Sequence, residues 1–411
     1  MFGKTKVKNE NGSGSFFDAE TLANFYPTFE RMRENGPVVP LQKILGRQMW
    51  MVTRYEEAVS VLKDQRFSVN WSQMFSTPLG RIARWMAGSP RFDLSQSMVG
   101  MDEPDHTRLR TLVSKAFTPR FIENLRPRIQ LIADGLLDRV QSQGKMDLVN
   151  DFAYPLPINV ISDMLGIPKE SRDQIKIWSQ QIARASMPKR NRRLMNEMDA
   201  FADFAEQLVA EKRRNPQDDL ISQLVKIEES GDRLSEDELI SMIMLLIFAG
   251  HETTSNMISL GMLALFDHPD QLTRLKADLS LVPKAVEEML RFSGPVTSPA
   301  PRFALEDVEV GGQRIRKGEI LFVALTFANR DQQQFIQADT MDISRTANRH
   351  IAFGQGIHYC LGAPLARLEG EIAFTTLLTR MPGIRLNMDR DDVEWRGGMS
   401  LRSLVSLPVA F

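Results

Sequence analysis

A single cysteine, Cys360, stands among 411 residues. One thiol cannot close an internal disulfide, so the fold does not depend on an oxidising compartment, and any cysteine chemistry belongs to this residue. Long apolar runs are missing too. The longest, Ile240 to Ala249, is interrupted by Ser241 and falls well short of the roughly 20 residues that span a bilayer. There is no excess charge of one sign. The 51 Lys and Arg against 52 Asp and Glu leave a formal net charge of −1, which recruits neither nucleic acid nor an anionic membrane. Residues 1–15 lack the apolar core of a signal peptide and read as a polar, disordered tail. No internal repeat is visible. The expectation is one globular domain over 16–411, cytoplasmic, with monomer as the default state.

What is present is mostly helical punctuation. Helical spacing is expected from about Asp18 to Asn35, Tyr55 to Asp64, His106 to Phe117, Phe121 to Gln143, Pro157 to Leu165, Ser171 to Ser186, Arg190 to Arg214 and Asp219 to Glu229. Met49 to Thr53 reads as a strand. Residues 67–100 are irregular and rich in apolar side chains, as in a functional loop or lid. Ser235 and Glu238 have capping-box spacing and open the longest pattern, which stops at Asp267-His268-Pro269. A helix of that length is a rod roughly 48 Å long, and its nearly all-round apolar middle should cross the interior. After Gly294 the texture turns to short strands, and helix returns from Ala363 to Thr379. The fold class is mainly α with a small β region toward the C-terminal end.

The cysteine has unusual neighbours: Phe353-Gly354-Gln355-Gly356-Ile357-His358-Tyr359-Cys360-Leu361-Gly362. The glycines permit tight turns and close approach of the backbone to a flat ligand. A helix start just after Cys360 offers free N–H groups and a positive dipole end, which favour a thiolate and tune its donation to a metal. Phe353 can cover the sulfur. Without such neighbours a lone cysteine is by default a small buried hydrophobe.

The stretch resembles the haem-binding signature of the cytochrome P450 family, F-x-x-G-x-H-x-C-x-G, at every fixed position. The resemblance extends over nearly the whole chain, from about Phe17 to Phe411. It implies a long central helix crossing over a buried haem b (iron protoporphyrin IX), with the Cys360 thiolate as axial ligand of the iron. It places Ala249, Phe353 and Gly362 against the haem, and His106, Arg110, Arg302 and His358 around its two propionates, where cationic partners are physically expected. In Ala249-Gly250-His251-Glu252-Thr253-Thr254, a local distortion near Ala249 and Gly250 would make room for O2. Thr253 would be the alcohol beside the bound oxygen, and Glu252 the acid that feeds it protons. Glu288 and Arg291, three apart on one helix face, would be a structural ion pair behind the haem. Many relatives carry an aromatic and an arginine in a stretch that would fall on Ala338–Asp342, which has neither.

The activity implied is that of a monooxygenase inserting one atom of O2 into an apolar substrate, a hydroxylation in its simplest form. The pocket is expected at Trp85, Met86, Met98, Val99, Ile182, Met187, Ile247, Phe248, Val296, Met399 and Leu401. This mainly apolar, methionine-containing set suits a medium-to-large polyketide, terpenoid, steroid or fatty acyl chain. The chain has no flavin or iron–sulfur segment, so electrons are expected from an external ferredoxin or flavodoxin, docking on Arg108, Lys115, Arg120, Arg345 and Arg349. Two other readings remain at this point. One is a peroxygenase using H2O2 directly, disfavoured by the Glu252–Thr253 pair. The other is a non-catalytic haem binding or sensor protein.

Overall fold

The central element is a helix of 32 residues, Glu236–Asp267. Its first turn carries the capping box expected from the sequence. Glu238 N–H donates to Ser235 Oγ at 3.3 Å, and Ser235 N–H donates to Glu238 Oε2 at 2.9 Å. Every residue from Leu239 to Leu265 is buried except Phe248, Ala249, Gly250 and Thr253. Packed on it are the helices Pro155–Leu165, Arg192–Arg214, Val282–Ser293 and Ala363–Arg380. Small residues set the closest approaches. A Cβ on Gly261 would meet Met289 Sδ and Phe374 Cζ at 2.8 Å, and one on Gly250 would meet Ile161 Cδ1 at 2.8 Å.

This computed structural model describes residues 25–44, 46–70, 97–115, 117–183, 192–229, 234–397 and 400–411. The tail at 1–15 and the loop section 71–96 lie outside them. No described helix is long and apolar enough to cross a membrane.

The helical pattern from Phe121 to Gln143 is two helices, Pro119–Asn124 and Arg126–Asp138. Pro127 has no N–H to continue the first ladder, but it fits the opening turn of the second. The helix of the His106 motif, Asp105–Ser114, is tied to the central cap by Arg108, which donates to Glu238 Oε1 and Oε2 at 2.5 and 3.1 Å.

The β region is broader than its C-terminal sequence signal. A five-stranded sheet runs in the order Val38–Ile44, Arg47–Val52, Ile320–Val323, Arg302–Ala304, Phe67–Ser68. Arg47–Val52 pairs parallel with Ile320–Val323, Met49 opposite Ile320, and the other pairings are antiparallel. The first strand is masked in the sequence because its register shifts between Pro40 and Lys43, which breaks the period-2 pattern. Among the described residues there are also two two-stranded sheets and one of three strands. The large helical core reaches the cysteine segment at Ala352, Phe353 and Leu361, and one of the two smaller clusters adjoins it at Ile351.

Candidate functional site

Cys360 lies between a one-turn helix at Gly356–His358 and the helix Ala363–Arg380. Its N–H donates to the Phe353 carbonyl at 2.9 Å, closing the loop on itself. Gly356 has φ +73°, and a Cβ there would stand 2.6 Å from the Leu62 carbonyl oxygen. That glycine is required by its positive φ and by the close approach of a neighbouring helix. The Ala363 N–H donates to the Cys360 carbonyl at 3.4 Å, and Gly362 lies beside the sulfur, where an added Cβ would stand 3.9 Å from Sγ. Protein encloses the thiol on most sides, yet its sulfur side is accessible. Burial pushes the thiol above its ordinary pKa. The Gly362 and Ala363 N–H groups and the guanidinium groups of Arg110 and Arg367 pull the other way. The sequence reading expected the helix start to favour thiolate outright. In the protein alone burial wins, and a metal bound to the sulfur would settle the proton's departure.

Four side chains of cationic type gather beside the loop. Arg110 Nη1 donates to the Ile357 carbonyl at 3.2 Å. The rings of His106 and His358 stand 4.4 Å apart. Burial lowers both imidazoles, His358 to about 3, and the charges of Arg302 and Arg110 add to this at His358. Arg302 is 4% exposed and makes no ion pair with a described residue. His106 Nδ1 is buried without a hydrogen-bond partner. Two guanidinium cations with two imidazoles that can offer N–H donors, one of them at an orphaned nitrogen, are what two carboxylates would satisfy. The residues therefore fit a haem: one sulfur ligand flanked by two cations and two imidazoles for its two acidic side chains.

Ala249 and Thr253 lie four apart on the short accessible stripe of an otherwise buried helix. Thr253 Oγ1 donates to the Ala249 carbonyl at 3.0 Å. The helix is continuous through this stretch. Gly250 is required by the close approach of Ile161. Glu252 is buried, with its Oε2 3.9 Å from His251 Nε2. His251 Nδ1 donates to the Ile247 carbonyl at 2.7 Å, and burial lowers the ring to about 4, so it is neutral at pH 7. The Tyr154 ring meets the imidazole edge-on at 5.4 Å.

Glu288 and Arg291 are fully buried and bond bidentately at 2.8 Å. Arg345 Nε joins them, 3.2 and 3.1 Å from the two Glu288 oxygens. The arginine sought at Ala338–Asp342 is thus present a few residues later, with Met341 buried beside it. The docking surface expected from charge loses two members, because Arg345 is spent on Glu288 and Arg108 on Glu238 and Asp105.

Of the pocket residues, Val296 and Leu401 form a bridge, flanked by Thr297 N–H to the Ser400 carbonyl (2.9 Å) and Arg402 N–H to the Pro295 carbonyl (2.8 Å). Met98 and Val99 lie on the turn before His106, Met98 buried and Val99 partly so. Phe248 is part-exposed on the accessible stripe, whereas Ile247 is fully buried in the core. Trp85, Met86, Met187 and Met399 lie outside the described residues. Sequence reasoning missed Glu287, His350 and Arg367, which surround Phe353. Glu287 adjoins the Glu288 motif, but nothing local reveals its partners 63 and 80 positions away.

Comparison with known proteins agrees with this geometry. The family model for Cytochrome P450 matches residues 13–382. The polyketide biosynthesis cytochrome P450 PksS of Bacillus subtilis is 43% identical, covering 94% of this chain and 96% of that protein. The 6-deoxyerythronolide B hydroxylase of Saccharopolyspora erythraea is 40% identical, covering 94% and 96%. A solved structure of a myxobacterial cytochrome P450 in complex with myristic acid superposes with a TM-score of 0.89 at 42% identity, covering 96% of this chain and 98% of that one.

Proposed function

This chain belongs to the cytochrome P450 family, and from that premise we propose that Cys360 is its iron ligand and Thr253 with Glu252 its proton-delivery pair. It is a haem-dependent monooxygenase acting on an apolar substrate. Haem held by a thiolate supplies O2 activation and transfer of one oxygen atom. The chain's own residues do the rest. The Gly362 and Ala363 N–H groups, at the start of the helix after Cys360, favour the thiolate that would ligate the iron. Arg110, Arg302, His106 and His358 would hold the two propionates. Phe353 and Gly362, on the cysteine loop, would pack beside the group, and Ala249 would offer it a small side chain from the accessible stripe of the central helix.

Thr253 holds a proton at Oγ1, now parked on the Ala249 carbonyl, and can turn it toward the reacting oxygen. Glu252 replenishes it from the protein side, next to neutral His251. Met98, Val99, Phe248, Val296 and Leu401 contribute to an apolar pocket for a medium-to-large substrate, and Trp85, Met86, Met187 and Met399, outside the described residues, are expected to extend its apolar character. A polyketide, terpenoid, steroid or fatty acyl chain fits this lining, and the PksS and myristate-bound relatives act on or bind molecules of that kind by name. Electrons come from an external ferredoxin or flavodoxin, and the protein works as a cytoplasmic monomer.

The observation that carries the reading is an accessible lone cysteine just before a helix, beside Arg110, buried Arg302 and an orphaned His106 Nδ1. The test is the absorption spectrum of the dithionite-reduced protein under carbon monoxide. Wild type should show a strongly red-shifted Soret band that Cys360→His loses. An imidazole-like wild-type spectrum, or no bound haem, would overturn the assignment. Thr253→Ala should keep that band but divert electrons to H2O2, and full coupling in this variant would remove Thr253 from the mechanism.

A further inference from the structure

Behind the cysteine loop lies a second ion network, separate from Glu288–Arg291. Glu287, on the helix Val282–Ser293, accepts a bidentate pair of bonds from Arg367, Nε to Oε1 at 2.6 Å and Nη2 to Oε2 at 2.9 Å. It also accepts from His350 Nε2 at 3.1 Å. That ring's Nδ1 accepts the Ala352 N–H at 3.2 Å, so Nε2 carries the proton. The Arg367 guanidinium lies over the Phe353 ring, 4.6 Å from its centroid, and Nη1 donates to Tyr359 Oη at 3.3 Å. Phe353 and Tyr359 are the two ends of the cysteine loop, and the Phe353 carbonyl holds the Cys360 N–H. One carboxylate thus anchors a cation that covers the loop and faces the sulfur's surroundings.

We propose that Glu287 is a positioning residue. Through Arg367 and His350 it fixes the loop of Cys360 and offsets the cation beside the sulfur, and so sets how strongly the sulfur donates to haem iron. This rests on the reading of Cys360 as the iron ligand. Burial pushes the Glu287 carboxyl up, but the bonds from His350 and Arg367 hold it down to about 2, so it is ionised at any working pH. Arg367 and Arg110 are the cations that act on the sulfur. Both Glu287 and Arg367 are about a third exposed, so solvent screens the effect without erasing it.

Charge and shape make different predictions here. Loss of Glu287 leaves Arg367 uncompensated, which favours the added electron. Loss of Arg367 does the opposite. The test is spectroelectrochemical titration of the holoenzyme. Glu287→Gln should raise the ferric/ferrous potential and Arg367→Met should lower it, each by up to about a tenfold change in the one-electron equilibrium, 59 mV. The double variant should return toward wild type. A packing role alone would move both singles the same way, and that result, or unchanged potentials in both, overturns the proposal.

Arg367→Lys, at a part-exposed position that tolerates change, keeps the charge but loses the planar fork. It should release haem to apomyoglobin roughly 10-fold faster than wild type. It decides the positional half of the proposal if a neutral variant fails to fold, and a wild-type release rate would overturn that half. The wild-type carbon monoxide spectrum separates the two readings. Without a thiolate band both fall. With one, the variants judge Glu287 alone.

Discussion

Arg291 is the side chain whose removal should cost most. Each of its five N–H donors is used in a fully buried site. Nε and Nη2 bond Glu288 at 2.8 Å, Nη1 bonds the Asn329 and Ala338 carbonyls at 3.0 and 2.7 Å, and Nη2 also bonds the Thr340 carbonyl at 3.0 Å. Truncation to Ala breaks a buried ion pair, at roughly 3–5 kcal/mol. It also leaves three carbonyls without this donor, at roughly 1 kcal/mol each. The sum, about 6–8 kcal/mol, is of the order of the whole stability of a typical domain, roughly 5–15 kcal/mol.

Arg291→Ala should therefore not accumulate as folded holoprotein. Arg291→Lys offers three donors in place of five, without the fork, and should fold with a loss of at least about 2 kcal/mol. The assay is the guanidinium midpoint followed by circular dichroism and by the haem band together, since a chain this large need not unfold in two states. If Arg291→Ala yields folded protein within about 1 kcal/mol of wild type, the network is not the anchor its geometry implies.

Gly166 has φ +69°, and a Cβ there would collide with Asp219 Oδ2 and stand 2.6 Å from Lys212 Nζ, the members of a buried ion pair. Gly166→Ala should cost at least about 3 kcal/mol in the same denaturation assay, through backbone strain and a split buried pair. His251, fully buried and held to about 4, should make stability fall as pH drops from about 6.5 toward 4, because only the unfolded ring takes up a proton there. The full effect is about 3 kcal/mol. A His251→Phe protein should show a correspondingly shallower loss of thermal midpoint between pH 7 and 5, and an identical slope would refute the assignment.

Much of the site was legible because its parts are local. The cysteine segment holds its glycines, its ring of N–H donors and Phe353 within one short loop. Ser235 and Glu238 announce the central helix through a single turn, and that helix begins and ends where the cap and Pro269 place it. The cations around the sulfur were legible only through family resemblance, since His106 and Arg302 have no local feature that distinguishes them from surface charges. Other features depend on neighbours distant in sequence. Gly250 and Gly356 are explained by Ile161 and by the backbone of Leu62, neighbours that no window of sequence contains. Arg345 was read as a docking cation because its partner, Glu288, lies 57 positions earlier.

The consequence reaches past these residues. A short motif decides which atom can ligate, because ligation needs one sulfur and the backbone geometry around it. How strongly that atom donates depends on charges brought from elsewhere, and here they come from Glu287 on one helix and Arg367 on another. Two chains with the same residues from Phe353 to Gly362 would therefore hold the same ligand. They would donate differently wherever the residues at 287, 350 and 367 differ. Transplanting the cysteine segment alone should carry over thiolate ligation but not the host's potential, whereas exchanging the three clasp residues with the segment left intact should move the potential and leave the ligand unchanged.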